Sequence, residues 1–167
     1  MKLPGRWRAP CLALCAALLL PAQKARAGEM EVIAASKPSV VAVGTFRALD
    51  NPRFTFRGTG FVVGDGRQIV TNAHVLPEAM PDGAKLVVQV DQGGGNFEWR
   101  DARADSVVRP HDLALLRIDG NPLPALPLAP PQPAREGQPV LFIGYPIGGP
   151  LGFRPVSHRG MVASLTP

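Results

Sequence analysis

Seven prolines (Pro122, Pro124, Pro127, Pro130, Pro131, Pro133 and Pro139) lie between Asn121 and Pro139. Each lacks a backbone donor, so this stretch cannot pair inside a sheet and reads as an extended linker. A ligand motif for a proline-binding module, Pro124-Ala-Leu-Pro127, is the weaker alternative there. The linker divides the chain. Before it, strand-length apolar runs alternate with turn residues: Val40 to Ala48, Thr55 to Val63, Gln68 to Thr71, Lys85 to Asp91, Phe97 to Val108 and Leu113 to Ile118. A short helix from Glu29 to Ser36, stopped by Pro38, precedes them. Leu86, Val88 and Val90 fall on one face, as in a half-buried strand. Asp65-Gly66 and Gly93-Gly94-Gly95-Asn96 supply tight connections. Six short strands at this spacing predict a sandwich or a closed antiparallel barrel. Beyond the linker two further strands, Val140 to Gly144 and Val156 to Leu165, flank the Gly- and Pro-rich loop Tyr145 to Pro155. An isolated hairpin is marginal in water, so this pair must lean on the first unit or belong to a second one.

The first 27 residues have the pattern of an export signal. Lys2, Arg6 and Arg8 precede an apolar run from Cys11 to Ala22, and Ala25-Arg26-Ala27 is a small-x-small cleavage site. The run is shorter than the roughly 20 residues a bilayer span requires. A lipoprotein site at Leu12-Ala13-Leu14-Cys15 is disfavoured by the bulk of Leu14. The signal holds five of the 18 basic residues and no acidic one, leaving 13 basic and 13 acidic side chains after cleavage. The basic character of the precursor therefore belongs to its export tag, and no basic stripe argues for a nucleic-acid partner. Cys11 and Cys15 leave with the tag, so the exported chain has no disulfide and its core rests on apolar burial. About 140 residues remain, within the usual range for one domain.

Two places carry chemistry. His74 sits in the turn Thr71-Asn-Ala-His74 that ends an apolar run, and Asp112 heads the buried strand that follows His111. Taken singly, the first reads as a satisfied turn histidine and the second as a strand-start cap. Taken together with Gly58-Thr-Gly-Phe-Val-Val and Asp112-Leu-Ala-Leu-Leu, they resemble the trypsin-like serine proteases, in particular the cysteine-poor bacterial branch of HtrA type. The resemblance extends from about Val32 to Leu165 and includes Gly144-Tyr-Pro and Gly160-Met-Val-Ala-Ser, which are similar to the opening strands of that family's second barrel. It implies an all-β fold: a trypsin-like six-stranded antiparallel barrel over 28–120, the linker over 121–139, and the first strands of an incomplete second barrel over 140–167. It further implies a serine endopeptidase acting on polypeptide, with His74 as general base and Asp112 as the carboxylate that orients it. A serine hydroxyl is a weak nucleophile until an imidazole takes its proton, and that imidazole needs a carboxylate on its other nitrogen; neutralising the carboxylate costs about 10⁴-fold in turnover in such triads.

The nucleophile is where the sequence departs from the family. The serines after the signal are Ser36, Ser39, Ser106, Ser157 and Ser164, and none lies in a Gly-x-Ser-Gly-Gly-type turn. Oxyanion donors and the primary specificity pocket would also lie in a segment not among these residues, so the chain alone is expected to be inactive. Three readings follow: a protease truncated before its serine, a noncatalytic binding module, or one half of a split enzyme. No cofactor is implied. Gly58-Thr-Gly60 is not followed by a helix, which argues against a phosphate loop, and His111 and His158 lack the spacing of metal ligands to join His74. Phe97 and Trp99 share a strand face and read as packing. The expected location is periplasmic or extracellular, free of the membrane after cleavage, with the oligomeric state open.

Overall fold

The computed structural model describes residues 28–146 and 153–165. The predicted signal with both cysteines, and part of the Tyr145 to Pro155 loop, lie outside those residues. Helix α1 (Glu29–Ser36) leads through a 3₁₀ turn, Lys37–Ser39, into β1 (Val40–Phe46), with Pro38 at the helix stop as its missing N–H requires. Strands β2 (Phe54–Val63), β3 (Gln68–Thr71), β4 (Lys85–Gly93), β5 (Asn96–Val108) and β6 (Leu113–Ile118) follow. They close into an antiparallel barrel in the order β1-β2-β3-β6-β5-β4, with β1 paired to β4 at the seam. Strands β7 (Pro139–Gly144) and β8 (Val156–Met161) form a separate antiparallel pair. The sequence expectation of an all-β chain with one six-stranded barrel and the start of a second sheet is met, and closure selects the barrel over the sandwich.

Alternation along the strands makes the core. In β6, Ala114, Leu116 and Ile118 are buried while Leu113, Leu115 and Arg117 are not. Together with Val41, Val43, Val62, Ile69 and Val88, these fill the barrel. Burying each such branched side chain contributes roughly 1.5–3 kcal/mol, so this interior outweighs the exposed ion pairs by a wide margin.

Strands β2, β4, β5 and β7 each run one or two residues longer than the sequence reading, β7 taking in Pro139 at its edge, and four larger particulars differ as well. Strand β1 ends at Phe46 rather than Ala48, because Arg47 and Asp50 enter a turn closed by Asp50 N–H to Arg47 O at 3.3 Å. Strand β8 ends at Met161 rather than Leu165, since its partner β7 begins at Pro139, opposite Met161. The half-buried strand expected at Lys85 to Asp91 is buried on both faces from Leu86 to Val90. Its second face belongs to an outer cluster of Val40, Ala42, Phe54, Val87 and Tyr145, packed by Phe46, Phe56, Ile143 and Phe153. The proline-rich linker is a strap rather than a free connection. Its residues between prolines still own N–H groups, and Leu123 and Leu126 donate to Gly66 O and Val62 O, each at 2.9 Å. Leu123 is buried in the barrel core, and Gly66, at φ +81°, leaves room for the strap because any Cβ there would strike the Leu123 carbonyl.

The β7–β8 pair is fastened to the barrel through Tyr145. Its N–H donates to Thr59 Oγ1 at 2.9 Å, its hydroxyl reaches Val40 O at 3.4 Å, and Phe153 packs edge-on against Phe54 with ring centroids 5.4 Å apart. An ion pair between Glu29 and Arg159 ties α1 to β8. Burial pushes the Tyr145 phenol up to about 12, with the charge of Asp91 adding to it. As Tyr145 is the only tyrosine, ultraviolet titration of the folded chain should show one phenolate midpoint near 12 rather than 10.0. The unfolded chain releases that proton at the lower value, so this linkage leaves stability intact below it and lowers stability as pH rises toward the folded value.

Candidate active site

The site forms where β3 ends and β6 begins. These strands pair antiparallel with Thr71 opposite Ala114. The 3₁₀ turn Ala73–Val75 that follows β3 and the turn Arg109–His111 that precedes β6 therefore emerge side by side. Ala73 and Val75 point inward and are buried, which turns His74 outward. Asp112 lies at φ +50°, ψ +42°, a left-handed conformation that acidic and amide residues adopt more readily than most, and its N–H closes the turn to Arg109 O at 3.0 Å.

The two predicted site residues are brought together. His74 Nδ1 lies 2.6 Å from Asp112 Oδ2, and the His74 backbone N–H donates to Asp112 Oδ1 at 2.9 Å. With Nδ1 facing the carboxylate, Nε2 is the ring nitrogen left to exchange a proton with another group. The Asp112 carboxyl is held below its ordinary value of 3.8, first by the His74 backbone N–H, then by the His74 ring, with the His74 charge and the Asn72 amide adding less. This arrangement can orient an imidazole, fix its tautomer and stabilise its cation.

Sequence reasoning did not single out the residues that hold the histidine turn. Arg57 Nε donates to Val75 O at 2.5 Å, one residue past His74. Gly58 lies under the same turn, and a methyl group at its Cα would collide with Val75 Cγ2. Asn72 Nδ2 reaches Asp112 from the other side of the turn. The signal available was position: Arg57 directly precedes and Gly58 opens the Gly58-Thr-Gly60 segment, and Asn72 belongs to the Thr71-Asn-Ala-His74 motif. Gly58-Thr-Gly60 itself lies within β2, where Gly60 admits close packing of Ile69 and Val43. His111 and His158 are exposed and do not join His74. Among the described residues no group of three or more His, Cys, Asp and Glu side chains is placed to hold a metal. The hydrogen bonds of His74 go, among the described residues, to Asp112 and to no serine.

Comparison with known proteins matches the same region. The sequence model of the trypsin-like peptidase domain matches residues 58–167. The chain belongs to this family. Among its relatives, a serine protease of Mycobacterium tuberculosis is 35% identical over 130 residues, which cover 77% of this chain and 29% of the relative. The Danio rerio serine protease HTRA1A is 34% identical over 121 residues, 70% of this chain and 23% of that one. A DegP-like periplasmic serine endoprotease of Halomonas elongata is 33% identical over 91 residues, 54% and 18% respectively. The serine endoprotease structure from Yersinia pestis superposes with a TM-score of 0.60 at 27% identity, covering 79% of this chain and 43% of that one. The chain thus spans less than a third of the length of these curated relatives, all of which are named as serine proteases and one of which is named HTRA1A, in line with the resemblance.

Two outcomes test the site. Gly58→Ala should destabilise the barrel by about 1–3 kcal/mol in chemical denaturation, because the added methyl displaces Val75 in a filled core. The Asp112 carboxyl resonance should titrate below 3.8. Its contribution to stability is then complete above that value and is lost as pH falls through the lower folded one, measurable by ¹³C NMR.

Proposed function

We propose that this chain carries the base and the orienting carboxylate of a serine endopeptidase site, and that its 167 residues are inactive by themselves. The observation that supports the reading is the 2.6 Å contact of His74 Nδ1 with Asp112 Oδ2, reinforced by the His74 N–H on Oδ1. A binding module would have no use for a carboxylate aimed at an imidazole.

In the proposed reaction His74 Nε2 takes the proton of a serine hydroxyl as the serine oxygen bonds to the carbonyl carbon of a peptide. Asp112 keeps the proton on Nδ1 and stabilises the imidazolium that results. His74 then gives its proton to the departing amine as the C–N bond breaks, leaving an ester on the serine. Water, deprotonated in turn by His74, cleaves that ester and restores both side chains. The serine and its oxyanion donors come from residues outside this chain, since none of its five serines lies in a turn of the required type or bonds to His74. The polypeptide substrate is the proposed partner, and no cofactor is needed. The domain boundaries are proposed as 28–120 for the barrel, 121–139 for the strap and 140–167 for the opening of the second barrel. Residues 1–27 are proposed to direct export to the periplasm or beyond, as the Lys- and Arg-flanked apolar run and the periplasmic relative support.

Fluorophosphonate labelling tests the proposal. The purified 167-residue chain should take up no label, and any labelled product of its gene should be longer and should contain a Gly-x-Ser-Gly-Gly segment. In that longer product His74→Ala should reduce the labelling rate by about 10⁴-fold or more. Stoichiometric labelling of a serine in the 167-residue chain would overturn the view that the nucleophile lies elsewhere.

A further inference from the structure

Asn72 lies immediately before the turn that carries His74, with its backbone extended at φ −79°, ψ 147°. Its side-chain amide crosses to the turn before β6 and meets Asp112 at two points. Nδ2 lies 3.1 Å from the Asp112 backbone oxygen and 3.2 Å from Oδ2. Both partners are acceptors, so the nitrogen end of the amide must face them. Asp112 is thereby gripped on every side that matters. Its N–H is held by Arg109 O, its carbonyl by Asn72, Oδ1 by the His74 N–H, and Oδ2 by the His74 ring and Asn72 together. Arg109 and His111 share its turn, yet neither side chain bonds to the carboxylate among the described residues.

We propose that Asn72 is a positioning residue that clasps the main chain and the carboxylate of Asp112 at once, so that the His74–Asp112 couple is assembled wholly within the first barrel. The inference rests on the reading of the couple given above and adds what holds it. The physical reason is that Asp112 is in a left-handed backbone conformation, and a carboxylate at the mouth of a turn is free to rotate unless donors fix it. A donor on the residue two before the base locks both chain segments with one planar group. Among the described residues, every donor to the Asp112 carboxylate comes from Asn72 or His74, ahead of β4. The amide also stabilises the ionised carboxylate, in the direction the Asp112 titration takes.

NMR of the isotope-labelled 167-residue chain tests this without any turnover. In the wild-type chain, the His74 Nδ1 proton should resonate far downfield, and the Asn72 side-chain amide protons should exchange slowly and respond as Asp112 titrates. Asn72→Ala removes the donor. Asn72→Asp keeps its size and shape but presents a carboxylate in place of the N–H. Both variants should retain the dispersed amide spectrum of the barrel, lose the downfield proton and move the Asp112 midpoint upward, the second more than the first. A folded variant that keeps the downfield proton and the wild-type midpoint would overturn the role of Asn72 alone. Fast-exchanging Asn72 amide protons that ignore the Asp112 titration would overturn it from the wild-type spectrum, whether or not the variants fold. A wild-type chain with no downfield His74 proton would instead remove the couple itself, and this inference with it.

Discussion

The antiparallel register that sets Thr71 opposite Ala114 governs the chemistry of this chain. His74 lies three residues beyond one partner and Asp112 two residues before the other, so the pairing alone delivers both to the same rim of the barrel. Because side chains alternate along a strand, a slip of one residue would turn Ile69 and Leu116 out of the core while moving the two turns past each other. The apolar interior thus enforces the polar site. Burial of Ile69 and Leu116, both fully enclosed, makes the register costly to change, and the 2.6 Å contact between His74 and Asp112 follows from it.

A second constraint acts on the outside of the same barrel. Strands β1 and β4 are buried on both faces over much of their length, because an outer cluster that joins Phe54 and Phe56 of β2 with Ile143, Tyr145 and Phe153 packs on Val40, Ala42 and Val87. Gln89 Nε2 is enclosed there with no hydrogen-bond partner among the described residues, although Gln89 Oε1 accepts from Trp99 Nε1 at 3.0 Å. An unsatisfied buried amide opposes folding by about 1–3 kcal/mol, which the aliphatic barrel core and the aromatic-rich outer cluster outweigh. The strap over 121–139 adds a further tie, since Leu123 completes the barrel core while its N–H serves the β2–β3 turn.

Much of this was legible in the residues. Strand-length apolar runs between turn residues located all eight strands, with β3 and β6 at their observed bounds. Pro38 and the glycines of the β4–β5 turn announced the breaks. The motifs around His74 and Asp112 named the pair before any geometry. What escaped was whatever depends on a second layer: the burial of Val87 and Gln89 on the outer face of β4, and the docking of Leu123. Local pattern cannot reveal these, since a strand covered on both sides and a proline-rich strap look like ordinary apolar and extended segments. The end of β8 escaped for a related reason, as a strand stops where its partner does.

The sequence by itself determined the strand set, the turn positions and the two residue types capable of proton transfer and its support, because alternation, glycine, proline and side-chain chemistry are local properties. Tertiary structure alone decided that the sheet closes, that the linker is bound, and that Arg57, Gly58 and Asn72 hold the turn of His74 and the carboxylate of Asp112. Those facts depend on contacts between residues as much as 40 apart in the chain at the site and further apart at the strap, and such contacts exist only once the barrel has closed around its core.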